Sequence, residues 1–199
     1  MTNVAQQITV LINALKTNAP ISLSIILILW IIHFTNWLLG YRLNYLGLVP
    51  RRLFGIPGIL FFSFLHGDFN HLFFNTIPLF ILSSFLLTFG VYSALMITIW
   101  IILTAGMTIW LLGRPAIHIG ASSLIMGYFG FMLAQAYFQV SVNTIVIAFV
   151  CIYYLGGLFF SIFPGEEKVS WEGHLFGMLA GVAVSLVAHL HWLPISTLI

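Results

Sequence analysis

Two short strings hold residues that could do chemistry together. Gly120-Ala121-Ser122-Ser123 stands near the start of one apolar stretch, and Gly173-His174-Leu175-Phe176-Gly177 opens another, with 52 residues from Ser122 to His174. A serine hydroxyl is a weak nucleophile until a base takes its proton, and imidazole is a common base for that step. Ionisable groups inside membrane spans are costly and mark functional sites by default. The pairing reads as a Ser–His dyad for acyl transfer, as in an intramembrane serine protease, rather than as part of a transporter. A third, orienting carboxylate is hard to supply, because the only acids are Asp68, Glu166, Glu167 and Glu172. Glu172 lies two residues before His174, about 200° around a helix, and so points away.

Acyl transfer also needs donors aimed at the developing oxyanion. His71 and Asn75 are spaced i,i+4 and share one helix face. The backbone N–H of Ser122, near a helix N-terminus, could add another donor. A hydrogen-bonded structural pair accounts for His71 and Asn75 about as well. Gly173, Gly177 and Gly181 recur every four residues and form a groove where a second backbone can pack closely. Gly120, Gly127 and Gly130 give the Ser122 stretch small positions of its own. Ordinary small-residue packing explains these glycines without catalysis, yet it would also hold Ser122 within reach of His174.

These residues must be positioned by membrane helices. Hydrophobic residues make up 61% of the chain and charged ones only 5%, where a soluble domain carries about a quarter. The bilayer is therefore the solvent, and the expected class is an all-α membrane protein. A net charge of +2, with the basic residues scattered among loops, gives no case for nucleic acid. Cys151 is the single cysteine, which excludes an intrachain disulfide and reads as a small buried hydrophobe.

Crossing the hydrocarbon takes about twenty apolar residues. Six spans fit: Ile21–Leu39, Asp68–Phe89, Val91–Leu112, Ile119–Gln139, Val142–Phe163 and Trp171–Leu193. Residues 1–20 form an N-terminal segment, and 21–199 one membrane domain with no internal repeat. The first span is too long for a signal-peptide core and lacks a small-residue cleavage site, so it stays as an anchor. The stretch Gly40–Leu65 carries Arg42, Arg51, Arg52, Pro50 and Pro57 among many apolar residues. It reads as an interfacial, partly buried loop with its arginines at headgroup level. Pro164–Lys168 reads as a turn-forming polar cap. Spans two, four and six run in one direction, which brings His71, Asn75, Ser122 and His174 to one depth, about 10 Å below Arg114 and Lys168. The basic residues of loops one, three and five would place those loops in the cytoplasm.

The strings His66-Gly-Asp-Phe-Asn-His71-Leu-Phe-Phe-Asn75, Gly120-Ala-Ser122-Ser-Leu-Ile-Met126-Gly127 and Gly173-His174-Leu-Phe-Gly177-Met-Leu-Ala-Gly181 fall in this order on spans two, four and six. Together they resemble the rhomboid family of intramembrane serine proteases, and the likeness runs from Leu46 to Gly181. It implies a six-span rhomboid-like bundle of the bacterial form, with a large membrane-embedded first loop. It implies Ser122 as nucleophile and His174 as general base. His71, Asn75 and the Ser122 backbone would form the oxyanion hole, with His66, Gly120, Gly177 and Met126 in support. The loop from Pro164 to Ser170 would cap the site, and span five could serve as a lateral gate. Implied substrates are single-span membrane proteins, cut near the membrane boundary by a monomer in the lipid bilayer, without cofactor or metal. The family arrangement, in a bacterial inner membrane, opens the site to the outer side, against the raw charge count. Ser123 stands where the family has glycine and could crowd the nucleophile. Met126 replaces an aromatic residue that packs on the catalytic histidine.

The remaining histidines have local readings. His33 could pair with Asn36, His118 either shapes the mouth of the site or is a plain loop residue, and His189 and His191 would snorkel to the interface. No HExxH string exists for a metalloprotease, and Asp68 alone cannot make an aspartyl protease. Two rivals stay open. One is an inactive relative that binds transmembrane clients, and the other is a small transporter, which would more often show midplane charges or inverted repeats.

Overall fold

A computed structural model of the chain describes residues 3–163 and 170–191. Helix α1 covers Val4–Leu38, thirty-five residues and about 52 Å at 1.5 Å per residue. It takes in most of residues 1–20 and runs on through the first expected span. A reciprocal capping box closes the first turn: Gln6 N–H donates to Asn3 Oδ1 at 2.8 Å, and Asn3 N–H to Gln6 Oε1 at 2.9 Å. Counting apolar residues finds where lipid contact begins, whereas the cap decides where the helix begins. Pro20 lies inside α1 without ending it.

The first loop folds back on the bundle through 3₁₀ turns at Arg42–Leu46, Leu53–Gly55 and Phe62–Phe64 and the short helix α2, Gly58–Phe61. Its backbone is stitched to the segment before Ser122 by a two-bond antiparallel bridge, Leu48 N–H to His118 O at 3.0 Å and the reverse at 2.8 Å. Gly55 and Gly58 lie so close to the Val49 and Leu48 backbones that a Cβ on either would collide with them. Tyr45, Leu53 and Phe54 project outward, exposed, from the same loop. Exposed apolar tips on a tightly tied backbone fit a loop that dips into lipid.

Helix α3, Phe69–Leu86, continues as a 3₁₀ turn to Phe89, and Gly90 at φ 91 turns the chain into α4, Val91–Leu112. Helix α5 spans Ser122–Phe138, α6 spans Val142–Leu155 with a 3₁₀ continuation over Gly156–Ile162, and α7 spans Trp171–His189. Among the described residues five helices are long and apolar enough to cross a membrane. The exception is α5, whose 17 residues measure about 25 Å against a hydrocarbon core of about 30 Å. It is apolar all round and buried over most of its length, packed against α3, α4, α6 and α7. A helix shielded on every side needs no lipid-facing stripe and need not match the bilayer thickness.

Glycine sets the tightest crossing. A Cβ on Gly181 would strike the Gly127 carbonyl, one on Gly130 the Met178 carbonyl, and one on Gly177 the Ser123 carbonyl. Helices α5 and α7 thus touch backbone to backbone, at a crossing only these positions permit. Phe89, Phe129, Phe131, Leu79 and Ile101 fill the interior around them, and Cys151 is fully buried. The outer faces of the helices carry exposed Phe74, Leu112, Phe149 and Tyr153. The protein is a multi-pass integral membrane protein, a helical bundle with apolar side chains turned outward to lipid.

Candidate active site

The helix that carries Ser122 starts later than the expected span, which opens at Ile119. Ser122 is the first residue of α5. Gly120 adopts φ +124, and that left-handed backbone breaks any helix running in from Ile119. The apolar run Ile117–Ala121 looks like helix by composition but is not. No side chain caps the start of α5, so its first N–H groups, that of Ser122 among them, lack an intrahelical partner and carry the positive end of the helix dipole.

His71 and Asn75 reach the same place from α3. Asp68 caps that helix, its Oδ1 accepting from His71 N–H at 2.9 Å. The cap fixes the register that turns both side chains inward. A Cβ on Gly120 would land on the His71 ring and stand 3.7 Å from Ser122 Oγ. Glycine is required there for space as well as for φ. The Asn75 side chain is buried, and its Nδ2 has no hydrogen-bond partner among the described residues. An unpaired buried donor is costly and calls for an explanation.

His174 is the fourth residue of α7. Its Nδ1 lies 3.1 Å from the carbonyl of Ser161, on the 3₁₀ continuation of α6. A carbonyl only accepts, so Nδ1 carries the proton and Nε2 keeps its lone pair. A backbone carbonyl in this position can orient an imidazole as a carboxylate would. Glu172 is engaged elsewhere, its buried carboxylate 3.5 Å from the Arg114 guanidinium.

A cavity of about 580 Å³ joins these groups. His71, Asn75, Ser122 and His174 line it, with Asp68, Asn70, Arg114, His118 and Ser170 toward the polar end. Ser123 faces away, its carbonyl and hydroxyl packed against Gly177 of α7 and the hydroxyl without a hydrogen-bond partner among the described residues. The two neighbouring hydroxyls are therefore separated by the helix turn, one in the cavity and one in the α5–α7 seam. Met126 is buried in the core.

His66 is wholly buried beneath the site, its ring 5.1 Å from that of His71. Its Nε2 accepts from the backbone N–H of Ala121 at 3.2 Å. Burial above all, then the neighbouring His71 and His33, pushes its pKa down to about 3. The imidazole stays neutral and keeps the lone pair that this bond needs. His118, which bonds Ser170 Oγ through Nδ1 and the Arg114 carbonyl through Nε2, also has its pKa lowered, chiefly by burial.

Sequence reasoning missed Asp68, Ser161, Ser170 and the partner of His118. Asp68 and Ser170 were findable as helix N-caps. The Ser161 contact is made by backbone and leaves no signal in residue type. His33 does not pair with Asn36, whose amide instead holds Asn44 at 2.9 Å and the Leu43 N–H. His189 stacks on Phe138 with ring centroids 5.0 Å apart. The expected polar cap over Pro164–Lys168 lies outside the described residues.

Comparison with known proteins places the chain in a family. Uncharacterized proteins of Mycobacterium bovis and Mycobacterium tuberculosis are each 33% identical over 172 residues, covering 82% of this chain and 72% of theirs. One of Mycobacterium leprae is 28% identical over the same length, covering 82% of this chain and 68% of its own. A family model described as the rhomboid domain matches residues 55–191, which take in α3 to α7 and every residue lining the cavity. On that match the chain belongs to the rhomboid family.

Proposed function

We propose that the protein is an intramembrane serine endopeptidase that cuts single-span membrane proteins near the membrane boundary. The observation that carries this reading is the cavity shared by Ser122 and His174, with His174 held through Nδ1 by the Ser161 carbonyl. Ser122 Oγ attacks the substrate carbonyl while His174 Nε2 takes its proton. The negative charge that develops on the carbonyl oxygen meets three donors: Asn75 Nδ2, His71 Nε2–H and the Ser122 backbone N–H. His174 then gives the proton to the departing amine, and water attacks the acyl-enzyme by the same route in reverse. His66 supports the hole by holding the Ala121 peptide. Gly120 and Gly177 give it space, and Met126 packs in the core where the family has an aromatic residue.

Placement of the cavity at the ends of α3, α5 and α7, rimmed by Asp68, Arg114 and Ser170, fits cleavage at the edge of the bilayer. It also admits the water that hydrolysis consumes, at about 30 Å³ per molecule. Activity as a monomer in a bacterial cytoplasmic membrane, with the cavity opening outward, belongs to the same proposal.

The test is cleavage of a single-span substrate by detergent-purified protein. Ser122→Ala and His174→Ala should each lower the rate by at least about a thousandfold, in line with loss of a nucleophile or base elsewhere. Ser123→Ala should leave it largely intact. Binding without cleavage by the parent protein would point instead to a client-binding, inactive rhomboid, and loss with Ser123→Ala alone would name the wrong hydroxyl.

A further inference from the structure

His118 is tied down more firmly than a loop residue needs to be. Its backbone N–H and C=O both bond to Leu48. Its ring lies between two polar partners, Arg114 O at 3.1 Å from Nε2 and Ser170 Oγ at 2.8 Å from Nδ1. Because a carbonyl can only accept, Nε2 holds the proton and donates. Nδ1 is left to accept from the Ser170 hydroxyl. That hydroxyl oxygen accepts in turn from Gly173 N–H at 3.2 Å, and the Ser170 carbonyl accepts from His174 N–H at 3.2 Å. An unbroken chain of hydrogen bonds thus runs from the segment ahead of Ser122 to the first turn of α7, where His174 sits.

We propose that His118 is a positioning residue for the base: through Ser170 it fixes the start of α7, and with it His174, against the segment that carries Ser122. The inference rests on the proteolytic reading of the site. Its logic lies in what the glycine seam leaves undone. Backbone packing of α7 on α5 takes hold at Gly177 and Gly181, beyond His174 in the chain. The turn that bears His174 precedes that seam and needs its own anchor. The Arg114–Glu172 contact at 3.5 Å supplies a second strut from the same segment to the same turn. Nucleophile and base are in this way referred to one stretch, residues 114–122, rather than to each other. The Ser161 carbonyl orients the imidazole ring, whereas His118 locates the helix that carries it.

The experiment is the rate at which a fluorophosphonate probe labels Ser122 in the full chain, purified in detergent, with cleavage kinetics and thermal midpoints on the same samples. His118→Leu and Ser170→Ala should each slow labelling by about 10- to 100-fold, the scale expected when a reacting pair is misplaced by about 1 Å. For cleavage, kcat should fall while KM stays near the parent value. His118→Asn, whose amide oxygen can take the place of Nδ1, should recover labelling to within about threefold, as should Ser170→Thr. The double variant His118→Leu with Ser170→Ala should be no worse than either alone, because both break one chain. Labelling at the parent rate in His118→Leu, no recovery by His118→Asn, or additive losses would each overturn the inference. Should His118→Leu fail to fold, the Ser170→Ala and Ser170→Thr pair carries the same test. Failure of the parent protein to label at Ser122 would be a different result: it removes the proteolytic reading, and the inference with it.

Discussion

At the scale of single residues the site is marked by polar atoms left in states that ordinary folding does not reward. Asn75 keeps a buried amide donor unpaired among the described residues, inside an apolar bundle. Such a donor costs stability in the resting protein, and under the proposed function it gains a partner when an oxyanion forms. Asn75→Ala should lower kcat by about 10²- to 10³-fold, the usual effect of losing one oxyanion donor. Its thermal midpoint should stay level or rise, because the variant removes an unsatisfied group. A structural role would give the opposite pattern, a lower midpoint with little change in kcat. His66 argues similarly from protonation. Its folded pKa, about 3, lies below the ordinary histidine value near 6.5. Between those values the unfolded chain binds more protons at this residue than the folded one. Stability from His66 is therefore complete above about pH 6.5 and drains away as pH falls toward 3, by up to about 1.4 kcal/mol per pH unit. His66→Gln retains an acceptor for Ala121 N–H and cannot titrate there. Its thermal midpoint in detergent should fall less steeply than the parent's from pH 7 to pH 4, and equal slopes would sink the claim.

At the scale of elements, the proposed catalysis depends on how closely α5 and α7 approach. Gly181→Ala would press a methyl group onto the Gly127 carbonyl, and a backbone obstacle cannot swing aside as a side chain would. Overpacking of this kind costs about 1–3 kcal/mol. Both the thermal midpoint and Ser122-dependent cleavage should drop. Gly157→Ala, where a Cβ meets nothing within 4 Å, is the control and should change stability by no more than about 0.5 kcal/mol. The glycine spacing behind this packing was legible in the sequence, and so were the helices bounded by sharp punctuation. Gly90 and Gly113 bracket α4, and Ser141 caps α6. Two boundaries were not legible. The Asn3–Gln6 box that starts α1 precedes its longest apolar run, so a search for spans passes over it. The start of α5 is hidden because Ile117 to Ala121 is as apolar as the helix it precedes, and only the backbone angle of Gly120 separates them. The residue types of the proposed dyad could be read directly. The bonds that aim it could not, because Ser161 contributes a carbonyl and Ser170 meets His118 across 52 residues of chain.

At the scale of the whole molecule, the outstanding question is which side of the membrane the cavity faces. Counted as free charges, Arg42, Arg51, Arg52, Arg114 and Lys168 outweigh Lys16 and place the first, third and fifth loops in the cytoplasm. Two of those arginines are committed to the fold. The Arg51 guanidinium donates to the Leu111 and Gly113 carbonyls at 3.0 and 2.9 Å, closing the end of α4, and Arg114 pairs with buried Glu172. A guanidinium engaged by helix-end carbonyls or a buried carboxylate has a structural reason to be where it is. With both set aside, Arg42, Arg52 and Lys168 stand against Lys16, a smaller bias than the raw count gives. The outward-facing cavity of the proposed function then runs against a weaker signal. Ala116 offers a direct reading, since it is exposed on the third loop beside the cavity while Cys151 is fully buried and contributes little background. In intact bacterial cells, Ala116→Cys should react with a membrane-impermeant maleimide before any permeabilisation. Reaction only after the inner membrane is opened would turn the cavity toward the cytoplasm. In that case the arginines of the first loop would be topological signals as well as structural ones, and the substrates would be cut on the cytoplasmic side.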